Sequence, residues 1–116
     1  MSAKRLEREL VFDLILFIAA IILISLFYRD NLILTVMLIL TCLVGFKFWY
    51  KKHDAYFFIA AAIIGPVGEI VVIYFGAWSY ANPTILGIPV WLPLAWGLII
   101  ILIKRFAEIF VKIEEK

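Results

Sequence analysis

The sequence is poor in the residues that build metal and nucleotide sites. It has one cysteine, Cys42, and one histidine, His53. A lone cysteine cannot close an internal disulfide, and with a single histidine beside it no familiar metal centre can be assembled within one chain. No glycine-rich phosphate-cradling loop occurs, so nucleotide cofactors have no support. No cofactor is expected. Charge is scarce and unevenly placed: 17% of the 116 residues are charged, and long stretches carry almost none. A net charge of +2 is too small to point to a polyanionic partner such as nucleic acid.

The chain is rich in apolar residues, at 66% of the total. Soluble globular domains hold roughly 45–50%. A soluble domain of this length could not hide so much apolar surface. The composition excludes a soluble enzyme, a disordered chain and a nucleic-acid-binding module, and it points to a bilayer.

A hydrocarbon core about 30 Å thick needs roughly 20 helical residues to cross it. Four stretches qualify: 10–28, 32–50, 55–76 and 88–105. Strand alternation is absent, so barrel strands are not expected. The expected fold is all-α, a polytopic four-helix bundle forming a single domain over residues 1–116. The tail, 106–116, places Phe106, Ile109, Phe110 and Ile113 on one face and Lys104, Glu108 and Lys112 on the other. That pattern predicts an amphipathic extension along the membrane surface. The first stretch has the basic start of a secretion signal but no small-residue cleavage site, and it is read as an uncleaved helix.

Orientation follows from lysine and arginine placement. Lys4, Arg5 and Arg8 precede the first stretch, and Lys47, Lys51 and Lys52 surround the second turn. Lys104, Arg105, Lys112 and Lys116 follow the fourth, and Arg29 alone lies on the opposite side. Both termini are expected in the cytoplasm, with the protein in the cell membrane. Trp78, Tyr80 and Trp91 then fall at the outer interface, and Trp49, Tyr50 and Tyr56 at the inner one.

Glu69 is the candidate functional residue. It lies in Ile64-Gly65-Pro66-Val67-Gly68-Glu69-Ile70, about 6 Å beyond the middle of its helix at 1.5 Å per residue. Intramembrane acids are rare, costly and functional by default. Ala62, Gly65, Glu69, Ile73 and Gly76 share its face, and small residues there permit close packing or leave room for a ligand. Pro66 should kink the helix. Arg29, Tyr80, Asn82, Trp78, Trp91 and Trp96 are the groups that could meet Glu69 or its ligand. Asp13 is the other acid in an apolar run. It lies near the inner interface, where a snorkelling or paired role is expected.

The stretch Glu69-x3-Ile73-x2-Gly76-x-Trp78-x-Tyr80-x2-Pro83-x3-Gly87-Ile88-Pro89-x-Trp91-Leu92-Pro93-Leu94-Ala95-Trp96-Gly97 resembles the signature of integral-membrane carotenoid hydratases. It is similar, too, to that of small prokaryotic membrane proteins with the same core. The likeness covers about 65–97. It implies protonation of an isoprenoid double bond by Glu69, a cation stabilised on aromatic faces, and capture by water. The expected function is binding of a lipid or isoprenoid-like ligand near Glu69, with acid-catalysed chemistry on it as an extension. A proton-coupled transporter working as a dimer and an accessory subunit are the alternatives. Four spans make a thin wall for a pocket, so a homo-oligomer is expected.

Overall fold

A computed structural model describes residues 2–115. The described chain is all-helical, with four helices: α1 (Ala3–Phe27), α2 (Asn31–Lys47), α3 (Asp54–Tyr74) and α4 (Leu92–Glu114). They form an elongated bundle with extents of 46 × 26 × 20 Å. Successive helices run antiparallel, so one end of the bundle gathers the two chain ends and the α2–α3 turn. The other end holds the α1–α2 turn and the long α3–α4 loop. These are called the terminal end and the loop end below.

The helix limits follow capping chemistry more than hydropathy. The apolar run alone suggests that the first helix begins near residue 10. It begins at Ala3 instead, because Ser2 caps it by accepting from the Arg5 N–H at 3.2 Å, and the charged residues that follow are good helix formers. Asp30 caps α2 in the same way, accepting from the Ile33 N–H at 3.1 Å. α2 stops at Lys47, short of the expected Tyr50. Phe48 is extended there and Trp49 turns left-handed at φ 57°. α3 ends where Gly76 takes φ 87° and Ala77 N–H reaches back to the Val72 carbonyl at 3.0 Å, a glycine stop.

The fourth helix departs furthest from its expected start. Ile88 is held in a small bridge with Ile85, and its carbonyl accepts from the N–H groups of Thr84 and Ile85. A residue pinned on both sides this way cannot open a helix. Pro93 therefore occupies the first helical turn. At the other end α4 runs unbroken to Glu114. The tail expected as a separate extension is the last part of this one helix. Met1 and Lys116, the limits of the expected domain, lie outside the described residues.

α4 is the axis of the fold. It packs against α1, α2 and, most extensively, α3, whereas α3 leans on α4 alone to any extent. The α3–α4 contact rests on two reciprocal close approaches. A Cβ on Gly65 of α3 would lie 2.2 Å from the Trp96 ring, and one on Gly97 of α4 would lie 2.6 Å from the Phe58 ring. Each helix thus offers a bare backbone to the other's aromatic ring. Two apolar clusters fill the remaining centre. One joins Leu16, Ala20, Cys42, Leu98, Ile101 and Leu102, and the other joins Leu34, Leu38, Ile88, Trp91, Leu92 and Ala95.

α1 and α3 are long and apolar enough to cross a membrane, and α2 is apolar but shorter. The burial pattern is inverted relative to a soluble bundle. Leu26, Leu32, Ile64, Tyr74 and Phe75 are among many large apolar side chains that stand exposed, while Glu9, Asp13, Asp54, Glu69 and Arg105 are buried.

Candidate functional site at the α3–α4 groove

Glu69 lies near the loop end of α3, and its side chain turns toward α4 and the loop. Three donors converge on its carboxyl group. Trp96, from the second turn of α4, donates its indole N–H to Oε2. The loop supplies the others: Tyr80 bonds Oε1 through its hydroxyl, and Trp78 donates to Oε1 at 3.3 Å. The position of Trp96 follows from the bare Gly65, which lets the indole lie against α3 one turn below the acid. An indole N–H can only donate, whereas a phenol can donate or accept. Of the three contacts, only the one to Tyr80 can therefore carry a proton in either direction. Burial and the adjacent carboxyl group push the Tyr80 phenol above its ordinary value.

Glu69 is only 9% exposed, yet it forms part of the wall of an open groove. The groove encloses about 580 Å³ between α3 and α4. Phe57, Ala61, Ile64, Gly68 and Val72 line it from α3, Trp96 and Ile100 from α4, and Trp78 from the loop. Glu69 is the one titratable group among the lining residues. A volume of this order suits a small organic molecule or a lipid chain.

The loop is held in place by the opposite hairpin. Asn82 donates to the Arg29 carbonyl at 2.8 Å, and Asn31 donates to the Asn82 carbonyl at 2.9 Å and to Thr84 Oγ1 at 3.0 Å. Thr84 Oγ1 also accepts from the Val90 N–H at 3.2 Å. Trp91 stands one layer behind the site, edge-on to Tyr80 with ring centroids 6.0 Å apart.

The structure thus brings Glu69, Trp78, Tyr80 and Trp96 together. It sets Trp91 as a buried backing for Tyr80 and gives Asn82 a loop-anchoring task. Arg29 does not meet Glu69: its guanidinium lies over the Tyr28 ring, 5.3 Å from the centroid, and only its backbone carbonyl serves the loop. Among the described residues Glu69 has no ion-pair partner.

A second buried polar cluster occupies the terminal end. Arg105, 1% exposed, donates to Asp54 Oδ2 at 2.8 and 3.2 Å, to Asp13 Oδ1 at 3.3 Å and to the Gly45 carbonyl at 2.7 Å. Lys104 bonds Asp54 Oδ1 at 2.8 Å, and Lys51 pairs with Glu9. One guanidinium therefore ties α1, α2, α3 and α4 together. Counting Arg105 as a charge of the tail hid this role. Asp13 held the clue, since an acid on the buried face of an apolar helix needs a cation at its own depth.

No protein-family model, curated protein or solved structure matches this chain.

Proposed function

We propose that the chain is a multi-pass membrane protein whose α3–α4 groove holds a lipid or isoprenoid-like ligand beside Glu69. The inverted burial supports the membrane setting, because apolar side chains outside and paired charges inside suit hydrocarbon as the solvent. In this reading all four helices cross the bilayer, and the terminal end, which carries every described lysine and arginine but Arg29, faces the cytoplasm. The loop end and Glu69 then lie toward the outer leaflet.

The observation that carries the ligand reading is the groove itself: an apolar channel with one carboxyl group at its wall, opening sideways where lipid would be. Binding is favoured over hydration chemistry. Glu69 can pass a proton along its contact with Tyr80, but the groove supplies no second base to take a proton from attacking water. The resemblance to carotenoid hydratases is thus read as a shared way of holding an isoprenoid chain. α3 leans on one neighbour only, and its outer side carries exposed Ile59, Ile63, Val67 and Val71. That unpartnered apolar face is where a second copy of the chain would pack, which makes a homo-oligomer part of the same proposal.

Native mass spectrometry in mild detergent tests this directly. The expected result is an oligomer retaining a lipid-sized adduct, lost on Gly68→Leu. A Cβ at Gly68 meets no atom within 4 Å, so leucine there fills the groove and leaves the packing intact. A dimer without adduct would turn the reading toward proton-coupled transport, and a monomer without adduct toward an accessory role.

A further inference from the structure

Among the described residues five charged ones are buried: Glu9, Asp13, Asp54, Glu69 and Arg105. Four of them are matched by an opposite charge within the chain, through Lys51, Lys104 and Arg105 itself. Glu69 is the exception. Its three contacts come from neutral groups, two indoles and a phenol. Neutral donors solvate a carboxylate but leave its charge uncancelled, and an uncancelled charge in an apolar wall is costly.

The groove leaves open space beside this carboxyl group. Two of the three donors, Trp78 and Trp96, line it together with Glu69. Both indoles aim an N–H edge at Glu69, so the carboxyl group itself would hold a cation there, and an indole adds the attraction of its face only by turning. The contact from Trp78 is long at 3.3 Å, and Trp78 is 49% exposed. It is the donor that can swing aside when a cation arrives, leaving Tyr80 and Trp96 in place. Below the acid, the lining residues follow α3 back to Phe57 and are apolar throughout. From Phe57 to Glu69 that is roughly 18 Å of helix at 1.5 Å per residue.

We infer that the ligand of this groove is a lipophilic organic cation: an apolar chain lying along Phe57–Gly68, with its cationic head on Glu69 between Trp78 and Trp96. This rests on the groove being a ligand site and adds the charge of the ligand. The head supplies the counter-charge that the other four described buried charged residues find within the chain.

The test compares two probes of equal chain length, decyltrimethylammonium and decanol. Each is titrated into the full chain in phosphatidylcholine nanodiscs, whose zwitterionic surface does not concentrate cations. Tryptophan emission reports occupancy, since Trp78 and Trp96 line the site. The expected result is saturable binding of the ammonium at least tenfold tighter than that of decanol. Glu69→Gln should abolish the preference, and Gly68→Leu should abolish both signals. Equal affinity of the two probes in the wild-type chain, with both lost in Gly68→Leu, would overturn the cation and keep the groove. No saturable signal from either probe, with Gly68→Leu indistinguishable from wild type, would overturn both. The probe comparison is made on the unaltered chain, so it stands even if Glu69→Gln is poorly folded.

Discussion

The two ends of this bundle treat a buried acid in opposite ways. At the terminal end Asp13 and Asp54 share the guanidinium of Arg105, and Lys104 and Lys51 complete the neutralisation. At the loop end Glu69 receives only neutral donors. The first arrangement is finished. It is closed by four chain segments and leaves Asp13, Asp54 and Arg105 at most 1% exposed. The second is hydrogen-bonded by neutral groups alone, and it borders a groove. The same chemical group is a structural tie in one place and, under the proposal above, a receptor in the other, and the difference lies in whether the chain supplies its counter-charge.

The sharpest way to break the comparison is Arg105→Met. It strands the Asp13 carboxylate and the Gly45 carbonyl and leaves Asp54 to Lys104 alone, and removing one partner of a buried ion pair costs about 3–5 kcal/mol. Thermal unfolding in detergent should show the largest loss of any single change here. Loss no greater than that of a surface substitution would mean the tie does not hold the bundle. Gly65→Ala comes next. Its methyl group would collide with the Trp96 ring, and overpacking of this kind costs about 1–3 kcal/mol. The indole should leave Glu69, so retained ligand falls together with melting temperature.

Glu69→Gln sharpens the contrast from the other side. The amide keeps one acceptor oxygen and leaves an indole N–H short of a partner, a cost of about 1–2 kcal/mol. Ligand retention should fall far more than stability. A melting curve shifted as far as that of Arg105→Met would make Glu69 a structural tie as well. Asn82→Ala removes the bond to the Arg29 carbonyl, worth about 1 kcal/mol, and should speed amide exchange in 77–91 with the helices unaffected. Arg29→Ala should change neither ligand retention nor melting. A clear loss of ligand would bring its side chain back into the site.

The four helices were legible in the apolar runs, because burial in either core or lipid leaves the same trace. Their ends were not. Ser2 and Asp30 set the starts of α1 and α2 through caps that hydropathy does not register, and the Ile85–Ile88 bridge delays α4 to Leu92. Glu69 was visible as an acid in an apolar helix, and Trp78, Tyr80 and Trp96 as polar-tipped aromatics nearby in sequence. Charge and polarity suggest Arg29 and Asn82 for the same place. The structure spends Asn82 on a backbone carbonyl and turns the Arg29 side chain onto Tyr28. The Arg105 tie was hidden for a plainer reason. Its partners are 51 and 92 residues away in sequence, and a charge next to Lys104 at the end of an apolar run looks like any interfacial charge.

The Asn31 and Asn82 bonds have a consequence for how the chain is made. The loop that delivers Trp78 and Tyr80 to Glu69 is moored to residues more than fifty positions earlier. During synthesis the α1–α2 hairpin emerges first and the α3–α4 hairpin last. The later hairpin therefore finishes its loop against a template already in place. Reversing the order of the two halves would remove the template when the aromatic loop needs it.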